Sequence, residues 1–426
     1  MKEKLDILIK DAEELLTLNS GMSGPRIEHQ MEELGLISKG TVGIKGGKII
    51  SVGTTDQVLK ETEVDERTKV IDASRKVVTP GLVDPHTHLV FAGTRENEFE
   101  ERIKGKTYEE IETRGGGIRA TVGKVRQSTK EELVQLALPR LKRMLNYGTT
   151  TAEVKSGYGL NLNDELKILE VIRDLNQLQP IELVPTFLGA HQVPEEYRGR
   201  RGEYIRLLTK KVIPQVAERG LAEFCDVFCE AAAFNKEESK EILSTGKRFG
   251  LTPKIHADEL SPYGGAELAA EVEAISADHL VYTSLRGTKR MKEAGVIAVL
   301  LPGTSFFLNS QRYAPAREMI QEGVPIALAT DFNPGSCMTE SMPLILNLAC
   351  LKLKLTAAEA IVASTINGAY AIGRGEKVGS LEKGKHADIV IWGFPHYRIL
   401  PYHFGVNLAK TVIKAGKVVV ERGAKG

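Results

Sequence analysis

From about residue 80 to about residue 365 the chain keeps one rhythm: a short apolar run, a turn, then a longer stretch with apolar residues at helical spacing. Eight apolar runs read as strands: 81–86 (GLVDPH), 149–155 (TTTAEVK), 181–188 (IELVPTFL), 222–229 (AEFCDVFC), 252–256 (TPKIH), 274–279 (AISADH), 295–301 (GVIAVLL) and 325–330 (PIALAT). Between them lie segments such as 129–146 (TKEELVQLALPRLKRMLN) and 163–177 (NDELKILEVIRDLNQ), which open on Thr or Asn caps. Eight strand–helix units predict an α/β fold, a parallel (β/α)8 TIM-like barrel whose strands are buried on both faces. With 426 residues, 42% of them hydrophobic, the chain has the apolar content for a core of that size.

The ends follow a different pattern. Residues 40–53 (GTVGIKGGKIISVG) predict two short strands joined at Gly46–Gly47. Residues 387–393 (ADIVIWG) and 409–421 (AKTVIKAGKVVVE) mirror them. The expected division is therefore a barrel over 76–368 and a small β-sandwich domain built from 1–75 and 369–426.

In such barrels chemistry sits at the C-terminal ends of the strands. The first strand ends in His86, followed by Thr87 and His88; on extended backbone, residues i and i+2 share a face. The third is followed by His191, the fifth ends in His256 with Asp258 and Glu259 just beyond, the sixth ends in His279, and the eighth leads into Asp331. Five of the nine histidines thus gather at strand ends. His86, His88, His256 and Asp331 form a nitrogen and oxygen donor set suited to Zn2+ or Fe2+.

Composition narrows the partners. Lys plus Arg number 57 and Asp plus Glu 56, a net charge of +1, so no basic footprint for nucleic acid and no cationic surface for a membrane is expected. No apolar run approaches membrane-spanning length. The opening MKEKLDILIKDAEELLTLN scatters charge and lacks a small-residue cleavage site, so no signal peptide is expected. Cys225, Cys229, Cys337 and Cys350 form no CxxC pair. Reduced thiols in a cytoplasmic protein are the expected state, with Cys225 packed in the core. The RGGGI stretch at 114–118 lacks phosphate-loop spacing and is expected to be a loop over the barrel mouth.

PGLVDPHTHL, KIHADE, SADHL, ATDFNPGS and VGSLEKGKHADIVIW together resemble the amidohydrolase superfamily across nearly the whole chain. VFAGTRENEFEERIKGKTYEEI, TTAEVKSGYGL, PTFLGAHQVPEEY, DVFCE and TDFNPGSC place the closest resemblance with the imidazolonepropionase family. The resemblance implies one Zn2+ or Fe2+/Fe3+ per chain, held by His86, His88, His256 and Asp331. It implies hydrolysis of the lactam C–N bond of 4-imidazolone-5-propanoate to N-formimidoyl-L-glutamate, a step of histidine degradation, in a homodimer. Glu259 would be the base, His279 would stabilise the oxyanion and Asp331 would shuttle a proton. Arg95 would meet the substrate carboxylate. Tyr158, His191, Glu259, Asn333, Gly335 and Ser336 would line the substrate; Thr is common in the family where this chain has Ser336.

Many amidohydrolases hold two metals bridged by a carboxylated Lys ending the fourth strand. Here that strand ends in Cys229 and Glu230, and Lys155 ends the second strand instead. One metal is expected, with Glu230 behind it or accepting a substrate hydrogen bond, and Cys229 in packing. Two other readings compete. A deaminase of another heterocyclic or guanidine-like substrate would use the same metal set, but would not need the Arg95 carboxylate clamp. A non-catalytic barrel would be expected to have lost at least one ligand.

Overall fold

The computed structural model describes residues 2–106, 110–111 and 114–422. The eight expected barrel strands form in the expected order: β1 (Leu82–Asp84), β2 (Thr149–Lys155), β3 (Glu182–Ala190), β4 (Phe224–Cys229), β5 (Thr252–Ala257), β6 (Ser276–His279), β7 (Ile297–Leu300) and β8 (Ile326–Leu328). Neighbours pair in parallel from β1 through β8. The register sets His256 beside both Phe228 and Asp278, and Ala257 beside His279.

The ring closes just beyond its first and last strands. Thr87 bridges to Phe332, Asp331 N donates to His86 O at 3.0 Å, and His88 N donates to Phe332 O at 2.9 Å. Below this seam the Asp84 carboxylate accepts from Thr330 N at 3.0 Å and Thr330 Oγ1 at 2.6 Å. Closure of the barrel and placement of His86, His88 and Asp331 are therefore one structural event. The buried Arg140 guanidinium supports the chain leaving the seam, donating to Leu89 O at 2.9 Å and Phe91 O at 2.8 Å.

Helices pack outside the strands, and their caps are local. Thr129 caps helix Lys130–Asn146 in a reciprocal box with Glu132. Helix Leu162–Leu178 is capped by Asn161, two residues before the expected Asn163, because Asn161 Oδ1 reaches Asp164 N at 2.9 Å. Among the described residues no helix is long and apolar enough to cross a membrane.

Both chain ends build the small β domain expected of them. Strands Ile7–Leu16, Leu36–Lys45, Lys48–Thr54, Lys69–Asp72, Val77–Pro80, Ile389–Trp392, Ala409–Lys414 and Lys417–Glu421 form one hydrogen-bonded sheet that curls over, bringing Lys48 into a bridge with His386 and Ile49 N to Lys385 O at 3.0 Å. Val77–Pro80 joins the two ends, pairing with Ile389–Trp392 on one side and with Ile7–Leu16 on the other. Ile9, Val42 and Ile44 from one chain end share a core with Ile389 and Ile413 from the other. Gly81 follows Val77–Pro80, and an added Cβ there would run into the Thr150 side chain. Strand Ile7–Leu16 is the element the sequence reading passed over: its register shifts between Ile9 and Ala12, with Asp11 at φ +59°, so its charged middle breaks strict alternation.

Candidate active site

His86 and His88 emerge past β1 with both imidazoles facing Asp331: each Nε2 lies 3.5 Å from Asp331 Oδ1. The ligand atoms of His86, His88 and Asp331 lie within 4.8 Å of one another, as do those of His86, His256 and His279. All five side chains are buried. Burial, reinforced for His86 by the Lys155 charge and for His88 by His191, holds both pKa values well below the usual imidazole range. They are therefore neutral, as ligation requires. The Nε2 atoms of His86 and His256 are buried with no hydrogen-bond partner among the described residues. Unpaired buried nitrogens are costly, and converging imidazoles beside a carboxylate fit a divalent ion. His86 is fixed from behind by Asp278 Oδ2, 2.6 Å from its Nδ1, and His256 Nδ1 lies 3.1 Å from Asp226 Oδ2. Carboxylates behind metal-binding imidazoles set tautomer and ring orientation.

Asp258, His279 and Asp331 have φ of +50°, +77° and +52°, a region costing about 1–3 kcal/mol per non-glycine residue. The turn at Asp258 separates two neighbours. Asp258 faces away and accepts from the backbone N–H groups of Tyr263, Gly264, Gly265 and Ala266, holding the start of the next helix. Glu259 turns to the cavity, its Oε1 3.6 Å from His279 Nδ1. Burial, helped by Asp331 and Glu230, pushes its carboxyl well above the usual range. Glu230 stays outside the cavity lining, accepting from Leu260 N at 2.9 Å and Ser261 Oγ at 2.7 Å, and so anchors the segment that carries Glu259. Cys229 is buried in the core.

These groups open into a cavity of about 890 Å3. Arg95, Tyr158, His191, Glu259, Asn333, Gly335 and Ser336 all line it, with His88, His256, His279 and Asp331 at its floor; His86 lies beneath. Arg95 is oriented by Glu98, whose Oε2 accepts from its Nε at 2.9 Å and its Nη2 at 2.7 Å. Its guanidinium occupies the space where a side chain on residue 335 would sit, so a larger residue there would have to displace Arg95. Asn333 Oδ1 accepts from Gly335 N and Ser336 N, both at 2.8 Å, and its Nδ2 donates to Ser336 Oγ, also at 2.8 Å; these bonds shape the loop. His191 Nδ1 lies 3.1 Å from Gly157 O; burial and His256 lower its pKa to about 3, so it presents a neutral ring. The glycine stretch reaches the mouth as expected: Gly117 N donates to Glu98 Oε1 at 3.1 Å, and Ile118 lines the cavity.

The amidohydrolase family model matches residues 77–419. An imidazolonepropionase of Geobacillus kaustophilus is 51% identical over 418 residues, covering 98% of each chain. One of Alkaliphilus metalliredigens is 50% identical over 419 residues, covering 98% of this chain and 99% of that one. The chain belongs to the imidazolonepropionases, within the amidohydrolase family. Among solved structures, an adenosine deaminase from Xanthomonas campestris with bound zinc superposes with a TM-score of 0.71 at 18% identity, covering 99% of this chain and 94% of that one. A triazine hydrolase variant gives a TM-score of 0.72 at 18% identity, over 97% and 94%. These two establish the amidohydrolase fold, and the 50% relatives displace the deaminase alternative.

In an imidazolonepropionase barrel the strand ends mark the rim, and apart from Lys155 the layer beneath it carries no such mark. Asp226, Asp278, Glu153 and Lys155 are fully buried inside the ring. Each is a charged residue within a run read as a barrel strand buried on both faces, and that was the available signal. Asp84 stands two residues before His86, and Lys254 two before His256, on the face the histidines use.

Proposed function

We propose that the chain hydrolyses the lactam C–N bond of 4-imidazolone-5-propanoate to N-formimidoyl-L-glutamate, a step of histidine degradation. The observation that carries it is one cavity with a Glu98-oriented guanidinium on its wall and the Glu259, His279 and Asp331 group at its floor. His86, His88, His256 and Asp331 would hold one Zn2+ or iron ion. Such an ion lowers the pKa of water towards about 7 and polarises the carbonyl. Glu259 Oε1 takes the proton of the attacking water. His279 donates a hydrogen bond to the oxygen as it gains charge. Asp331 carries the hydroxyl proton left on the tetrahedral carbon to the departing ring nitrogen, so the C–N bond breaks to leave a carboxylate and a neutral nitrogen, and the proton held on Glu259 passes to solvent. Arg95 pairs with the propanoate, while Tyr158, His191, Asn333, Gly335 and Ser336 shape the remaining wall. The reading extends to a cytoplasmic enzyme working as a homodimer on a small anion.

Loss of ultraviolet absorbance from freshly prepared imidazolone propanoate, with ion content measured on the same sample, tests this. Turnover with about one ion per chain is expected. An ion-replete sample without turnover rejects the substrate and leaves the ion site standing. Arg95→Ala is expected to raise KM roughly tenfold or more with a smaller change in kcat, because a charge-assisted hydrogen bond present before and during reaction is lost. An unchanged KM removes Arg95 from the carboxylate site.

A further inference from the structure

One layer below the expected ligands lies a charged cluster outside the cavity lining. Lys155, on β2, is fully buried. Its Nζ lies 2.7 Å from Glu153 Oε1, 2.8 Å from Asp226 Oδ2 and 3.6 Å from Asp278 Oδ2. The three carboxylates are also fully buried and come from β2, β4 and β6. Carboxylate oxygens converging from three strands on one positive centre are the donor set of a hard cation. Here an ammonium fills the position.

Two of those carboxylates bear on the imidazoles above. Asp278 Oδ2 hydrogen-bonds His86 Nδ1 and lies 3.6 Å from Lys155 Nζ, while Asp226 Oδ2 accepts from Lys155 Nζ and stands 3.1 Å from His256 Nδ1. The second buried lysine, Lys254, lies 3.8 Å from Asp278 and gives its closest bond to Ser276 Oγ at 2.7 Å. Lys155 is therefore the cation that joins both orienting carboxylates. Without it, Glu153 and Asp226 would lose their nearest cation, and Lys254, 3.8 Å from Asp278, would be left facing three buried carboxylates, which is unfavourable.

We propose that Lys155 is a positioning residue that stands in for a second cation. Its charge holds Asp278 against His86 and Asp226 against His256, and the barrel takes a single ion because the adjoining cation position is filled by the protein's own ammonium. The inference rests on reading His86, His88, His256 and Asp331 as an ion site.

The test uses the full chain, stripped with chelator and titrated with Zn2+ in a calorimeter, with bound ion counted after excess is removed. The wild type is expected to bind one ion. Lys155→Met, which keeps length and loses charge, is expected to bind it about 10–100-fold more weakly, the range seen when partners behind a ligand are removed. Lys155→Ala, which empties the position between three carboxylates, is expected to take up two. Should these fail to fold, Lys155→Met with Glu153→Gln removes one charge of each sign and carries the same expectation of weaker binding. A folded variant that binds one ion with wild-type affinity overturns the proposal while leaving the ion site intact. A wild type that binds none overturns the ion-site reading and this proposal with it.

Discussion

Glu259→Gln is expected to keep its ion and lose turnover by about 10²–10⁴-fold, the contribution typical of a positioned proton acceptor. The substitution removes one ionisable oxygen and preserves shape. It spares His86, His88, His256 and Asp331, so ion content measured on the same sample stays at the wild-type value. Stability also separates chemistry from misfolding. Burial already disfavours the Glu259 carboxylate, so a neutral amide does not weaken the fold. The thermal midpoint is expected to hold or rise. A rate that barely changes assigns the proton to another group; a falling midpoint with lost ion shows that Glu259 holds the structure together.

The positions of these groups were legible in the sequence to different depths, and the physical reasons differ. The eight barrel strands were readable because each is an apolar run bounded by turns, and parallel strands buried on both faces advertise themselves in that way. Strand ends then located His86, His256, His279 and Asp331 through a general property of the architecture. Arg95 and Gly335 were readable only through resemblance, since nothing local shows that one occupies the space left by the other. The Asp278 to His86 contact spans 192 residues, and no local pattern announces such a pair. Ile7–Leu16 escaped because its bulge at Asp11 interrupts the alternation that marks a strand. Val77–Pro80 escaped for a different reason: it is short and reads as a connector, yet it pairs on both sides.

Asp331→Asn is expected to fail in both respects at once, with ion affinity lowered by more than about 100-fold and turnover by at least about 10³-fold. Oδ1 faces both His86 Nε2 and His88 Nε2, while Oδ2 accepts from Thr304 Oγ1 at 2.6 Å. An amide can keep one of these arrangements, but it cannot supply the negative charge that completes a set with three imidazoles. The seam of the barrel should survive, because Asp331 joins it through backbone N–H to His86 O, which the substitution leaves in place. The thermal midpoint without ion should therefore stay near that of the stripped wild type, while the stabilisation from added ion is lost, since a ligand stabilises only in proportion to its occupancy. Equal affinity with lost turnover would confine Asp331 to proton transfer and place the fourth ligand elsewhere, with His279 the nearest candidate because its ring already groups with those of His86 and His256. Paired with Glu259→Gln, this variant divides the work at the cavity floor. One carboxyl is expected to move protons without holding the ion, and the other to do both.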